Sequence, residues 1–119
     1  MDISEKVTNR FLKYVSFDTQ SDESSTSAPS TDKQLEFARY LENEFKEIGF
    51  TNVEVGKHGY VYATLPASSG YEDKNKIAYF AHMDTAPDAP GANIQTMITE
   101  ENNEHVIRTD RMTLLGADD

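Results

Sequence analysis

The stretch Ile77-Ala78-Tyr79-Phe80-Ala81-His82-Met83-Asp84-Thr85 joins an apolar run to a His-x-Asp pair. Residues 77–81 are apolar without alternation, the pattern of a strand covered on both faces. Such a strand belongs to a layered α/β fold, with helices packed against it. Side chains alternate along a strand, so His82 and Asp84 project to the same side if the extended backbone continues past Ala81. At the C-terminal end of the strand they occupy the position where open α/β sheets bind their ligands. Histidine is a common metal ligand, and a carboxylate that accepts its second ring N–H fixes the tautomer. Structural hydrogen bonding produces the same pair, and His-x-Asp by itself fits both readings.

Before this strand, the apolar positions recur with helical spacing. Val7, Phe11, Leu12, Tyr14 and Val15 predict an amphipathic helix over about residues 3–16. The segment from Ser21 to Ser30 is rich in Ser and Thr and reads as a surface loop. Thr31 followed three residues later by Gln34 has the form of a capping box. Leu35, Ala38, Leu41, Phe45 and Ile48 then share one helical face, flanked by Phe37 and Tyr40, and Gly49 stands at the expected C-terminal stop. Val53 and Val55 alternate with polar residues, Gly56 to Gly59 reads as a turn, and Tyr60 to Leu65 is rich in β-formers, so a hairpin is predicted. Following the strand at 77–81, the two prolines of residues 86–91 mark a loop. Gln95–Thr99 and Val106–Thr109 then read as short strands around an acidic turn. Thr113 to Leu115 resumes an apolar strand that Gly116 breaks.

Composition narrows the chemistry. At 119 residues the chain has the length of one domain, and 37% hydrophobic with 27% charged residues suits a soluble chain. With 21 acidic against 11 basic residues the net charge is −10, and no Lys/Arg cluster is present. Nucleic acid and anionic membrane surfaces are therefore poor partners. No apolar run approaches the roughly 20 residues of a membrane helix. No signal peptide is read at the N-terminus, and the expected compartment is the cytoplasm. The chain has no cysteine, so any bound metal must use nitrogen and oxygen ligands. Neither a Gly-x-Ser-x-Gly elbow nor a Gly-rich phosphate loop occurs. His58 in a Gly-flanked turn and His105 beside an acidic run read as surface residues.

A second acidic feature, Leu114-Leu115-Gly116-Ala117-Asp118-Asp119, follows the last apolar run. A carboxylate has two oxygens and can bridge two cations. An Asp pair also caps helices, and both uses fit here.

Several blocks together carry a resemblance. Phe11-Leu12-Lys13-Tyr14-Val15-Ser16-Phe17-Asp18-Thr19-Gln20-Ser21, Pro29-Ser30-Thr31, Tyr62-Ala63-Thr64-Leu65-Pro66-Ala67, Ala81 to Asp88, and Leu114 to Asp119 closely resemble the N-terminal part of the peptidase T family. These are tripeptide aminopeptidases among the co-catalytic zinc exopeptidases. The resemblance implies an α/β fold, two helices then a mixed sheet, with residues 1–119 forming part of a zinc-peptidase catalytic domain. It implies that His82 ligates one zinc, that Asp84 orients His82 as part of the catalytic apparatus, and that Asp118 bridges two zinc ions. A water activated by the metals would attack the scissile carbonyl of a small peptide, with a glutamate as general base. The complete enzyme would be able to form a homodimer.

The chain also departs from the family pattern. In the family the general-base glutamate, its neighbouring glutamate ligand, an aspartate ligand and a distal histidine all follow the bridging aspartate. They are expected to be absent here, together with the second domain, which leaves the isolated chain inactive. Asp84 and Asp118 lie 34 positions apart, less than expected for many members, and Asp110-Arg111-Met112 stands where an Asp-Gly turn is usual. The alternatives are a related zinc amidohydrolase, acting as a dipeptidase or an N-acyl amino acid deacylase, and a catalytically inactive fragment.

Overall fold

A computed structural model describes residues 2–96, 98, 104–108 and 112–116, the last two segments through their backbone. The chain divides into two units, residues 19–87 and residues 1–18 with 88–119. The α/β expectation holds, since two helices precede four strands.

The larger unit is built on helix α2, Lys33–Ile48, and the antiparallel pair β1, Thr51–Val55, and β2, Val61–Thr64. The helix ends as its sequence requires. Gly49 has φ 102°, its N–H donates to Lys46 O at 3.1 Å, and the Phe50 N–H donates to Phe45 O at 3.0 Å. These are the two bonds of a Schellman motif, and the Phe45 and Phe50 rings stack at 5.1 Å to complete it. The chain therefore turns straight from α2 into β1. Phe37, Ala38 and Leu41 are buried, with Gln34 and Glu44 on the same face. This face is rotated slightly from the expected one: Phe37, read as a flank, is at its centre, while Ile48 is exposed.

The predicted hairpin forms. The Gly56 N–H donates to Tyr60 O at 2.8 Å, the Gly59 N–H donates to Gly56 O at 2.9 Å, and Gly59 has φ 83°. Gly59 also comes close to helix α2 and its approach. A β-carbon there would stand 3.4 Å from the Leu35 side chain and 3.5 Å from Pro29. An irregularity between Thr51 and Glu54 accompanies Asn52 at φ 50°.

In the other unit, α1 spans Ile3–Tyr14, as the periodicity predicts. Asp2 caps it by accepting the Ser4 N–H. Its stripe of Ile3, Val7 and Phe11 is exposed. β3, Glu104–Arg108, pairs antiparallel with β4, Met112–Gly116. The expected acidic turn between Thr99 and Val106 lies mostly outside the described residues. Gln95, Thr96 and Ile98 are not in a strand, and Gly116 lies within β4 where a break was expected.

The largest difference from the sequence reading is at 77–81. The run is not in a strand, and Ile77, Tyr79 and Phe80 are 77–94% exposed. An apolar run becomes a doubly covered strand only when neighbouring strands take its hydrogen bonds and other layers take its side chains. Among the described residues neither is supplied. Among the described residues the one parallel pairing is a bridge, Gln20↔Thr85, just beyond the His-x-Asp pair.

Candidate metal centre

His82 and Asp84 come together as the spacing predicts, although on irregular backbone and not at a strand end. His82 Nδ1 lies 2.8 Å from the Asp84 carbonyl oxygen and 3.3 Å from Asp84 Oδ1. A carbonyl only accepts, so the 2.8 Å bond requires the proton on Nδ1. In the neutral ring this is the tautomer whose Nε2 carries a lone pair. Among the described residues no group bonds Nε2, and the side chain is 86% exposed. A neutral imidazole presenting one bare nitrogen is the donor that zinc accepts, so His82 fits the metal the resemblance implies. Both side chains are open to solvent, so the attraction between them is screened and the orienting hydrogen bond matters more than the charge.

The segment is held at Thr85. The Thr85 N–H donates to Thr19 O at 3.2 Å, while the Ser21 N–H and Ser21 Oγ both donate to Thr85 O at 2.9 Å. Gln20 Nε2 adds a bond to Pro87 O at 3.0 Å. Behind this bridge, Thr31 Oγ1 donates to Gln20 O at 2.9 Å and accepts from Gln34 Nε2 at 3.0 Å. Gln34 Nε2 also donates to Ser30 Oγ at 3.1 Å, and that oxygen accepts the Asp22 N–H. Thr31 and Gln34 therefore interact, but not as a capping box. Asp32 precedes the helix without a side-chain cap, and the two side chains are spent on tying α2 to Gln20. The segment read as a plain surface loop is the support of the candidate site. Its only signal in the sequence was that Thr19 to Ser21 and Pro29 to Thr31 belong to the resembling blocks.

Asp118 and Asp119 lie outside the described residues. Among the described residues no three His, Asp or Glu side chains converge on a point that would hold a metal. His58 Nδ1 lies 3.3 Å from Ala28 O. No helix among the described residues is long and apolar enough to cross a membrane.

The sequence comparisons bear on this geometry. Peptidase T of Clostridium acetobutylicum is 44% identical over 119 aligned positions, covering 97% of this chain and 28% of the relative. The match to Peptidase T of Desulfitobacterium hafniense strain Y51 is 42% over 140 positions, covering 95% and 34%. This chain is a relative of peptidase T. Peptidase T of Bacillus cereus strain Q1 is 38% identical over 146 positions that take in 100% of this chain and 35% of the relative. The chain spans about a third of the length of the curated peptidase T relatives it matches. No protein-family model matches it. The 146 positions of the Bacillus cereus alignment hold only 119 residues of this chain, so about 27 have no residue here. The alignment to the Clostridium acetobutylicum protein needs no such gap.

Proposed function

We propose that this chain carries the opening part of the metal site of a zinc peptidase of the peptidase T kind, one that releases the N-terminal residue of tripeptides. The supporting observation is the His82 ring, whose Nδ1 bonds the Asp84 carbonyl at 2.8 Å and whose Nε2 is left bare. The peptidase T relatives, matched over 95–100% of the chain, supply the reaction class. On this reading residues 1–119 are part of a catalytic domain, His82 and Asp118 are metal ligands, and Asp84 is the residue that orients His82.

Zinc held there would bring a bound water near neutral pKa and polarise a peptide carbonyl. The chain's own contribution is to present the donors. The Asp84 carbonyl keeps the proton on His82 Nδ1, and the Asp84 carboxylate lies 3.3 Å from the same nitrogen. Asp118, with two oxygens, would join two metal positions. A peptide substrate, a cytoplasmic setting and a homodimer of the complete enzyme belong to the same proposal.

Catalytic zinc sites use about three protein ligands, and this chain offers two. Calorimetric titration of the chain with zinc is expected to show weak binding that His82→Ala abolishes. Equal binding by the wild type and His82→Ala would sink the assignment of His82. In the same preparation tripeptide hydrolysis stays at the level of buffer; turnover that a chelator removes would mean that the ligand count is wrong.

A further inference from the structure

The bridge at Thr85 holds the His82–Thr85 segment at one residue. Its bonds involve Thr19 O, Ser21 N, Ser21 Oγ and the two main-chain groups of Thr85. These bonds act on Thr85 alone, and Asp84, whose carbonyl accepts from His82 Nδ1, is the adjacent residue. A side chain adds a second anchor. Gln20 Nε2 donates to Pro87 O at 3.0 Å, two residues beyond the bridge. A proline carbonyl only accepts, so the amide must turn its NH2 end toward it. The ring of Pro87 fixes its own φ, which makes it a stiff point to grip. Gln20 is itself held from behind. Its carbonyl accepts from Thr31 Oγ1, and Thr31 Oγ1 accepts from Gln34, a buried residue in the first turn of α2. The support thus runs without a gap from a helix to the segment.

We infer that Gln20 is a positioning residue for His82. By gripping Pro87 while its neighbours hold Thr85, it keeps the Asp84 carbonyl where His82 Nδ1–H donates and leaves Nε2 bare. The consequence for metal binding rests on the zinc reading of His82. The geometric claim does not, because the imidazole tautomer can be read without metal.

The test is Gln20→Ala in the full chain, followed by long-range proton–nitrogen spectra of the histidine rings above their titration range. Wild-type His82 is expected as the Nδ1–H tautomer, and Gln20→Ala as a mixture of both. Gln20→Glu, which keeps the side chain's size but presents only acceptors to the Pro87 carbonyl, is expected to match Gln20→Ala. Thr51→Val, which removes the bond from Thr51 Oγ1 to Thr64 O at the far end of the hairpin, leaves the His82 signals unchanged. Zinc affinity by calorimetry falls about threefold to tenfold in Gln20→Ala, at or below the 10–100-fold typical of losing a ligand's direct hydrogen-bond partner. His82 signals equal to wild type in both Gln20 variants overturn the inference, even where His82→Ala abolishes zinc binding. A tautomer shift in Gln20→Ala, with zinc binding indifferent to His82→Ala, upholds Gln20 as the positioning residue and overturns the zinc reading instead.

Discussion

At the scale of single residues, the loop from Ser21 to Ser30 shows how much order short polar side chains impose. Asp22 Oδ1 accepts from Ser24 Oγ at 2.7 Å and from the Ser24 N–H at 2.9 Å, and Ser27 Oγ donates to Pro29 O at 2.8 Å. The Ser24 hydroxyl, followed by the Ser24 N–H, stabilises the charged carboxylate and holds Asp22 below its ordinary value. The sign follows directly. A depressed carboxylate favours the folded loop above the unfolded value, and that preference disappears as pH falls through the folded one. In Ser24→Ala the Asp22 titration, followed by carboxyl carbon shifts, is expected to move up toward an ordinary aspartate. An unmoved midpoint would mean that the hydroxyl bond does not persist in solution. At His82 a backbone group does the ordering, since the Asp84 carbonyl accepts from Nδ1 at 2.8 Å.

Among the elements, the joint between α2 and β1 and the turn between β1 and β2 both depend on left-handed glycines. Gly49 has φ 102° with nothing within 4 Å of a built β-carbon, so its substitution penalty is conformational. Gly49→Ala is expected to lower stability by about 1–2 kcal/mol, the cost of a left-handed L-residue. Gly59→Ala, at φ 83° and with Leu35 3.4 Å from the new carbon, is expected to lose at least as much. Gly56 differs, because its φ lies outside the left-handed region and the nearest atoms to a β-carbon are 3.6 Å away. Gly56→Ala is expected to be neutral or stabilising by up to about 1 kcal/mol through the unfolded chain. Urea unfolding of the three variants checks the order. A Gly56→Ala protein as damaged as Gly49→Ala would contradict the turn geometry.

On the level of the whole molecule, apolar surface outweighs apolar core. Among the described residues only Phe37, Ala38 and Leu41 are buried hydrophobics, while Ile77, Tyr79 and Phe80 are almost fully exposed in sequence. Exposed apolar runs with free backbone groups invite association. The net charge of −10 opposes it through repulsion between copies, and salt screens that repulsion. Light scattering of the purified chain is therefore expected to rise with protein concentration and to be greater at about 0.5 M than at about 0.05 M salt, on either side of the ~0.1 M at which the Debye length is ~10 Å. Phe80→Asp is expected to reduce it at either salt. A chain that stays monomeric at high salt would mean that residues 77–80 are covered in solution.

Local elements were legible in the sequence because their causes are local. The period of α1 and α2, the glycine that stops α2 and the turn that folds β1 onto β2 act within a few residues, and each is found where the spacing put it. The pairing of His82 with Asp84 was legible for the same reason, as the two residues stand two apart. The strand expected at 77–81 was not, because a doubly covered strand exists only through neighbours distant in sequence. The grip on the segment that carries His82 was equally invisible. Gln20 and Pro87 are 67 residues apart, Thr31 and Gln34 spell a helix cap in the sequence, and only folding brings them to one ladder behind His82. Residue chemistry marks His82 as the proposed metal donor, whereas long-range hydrogen bonding decided how the segment that carries it is held.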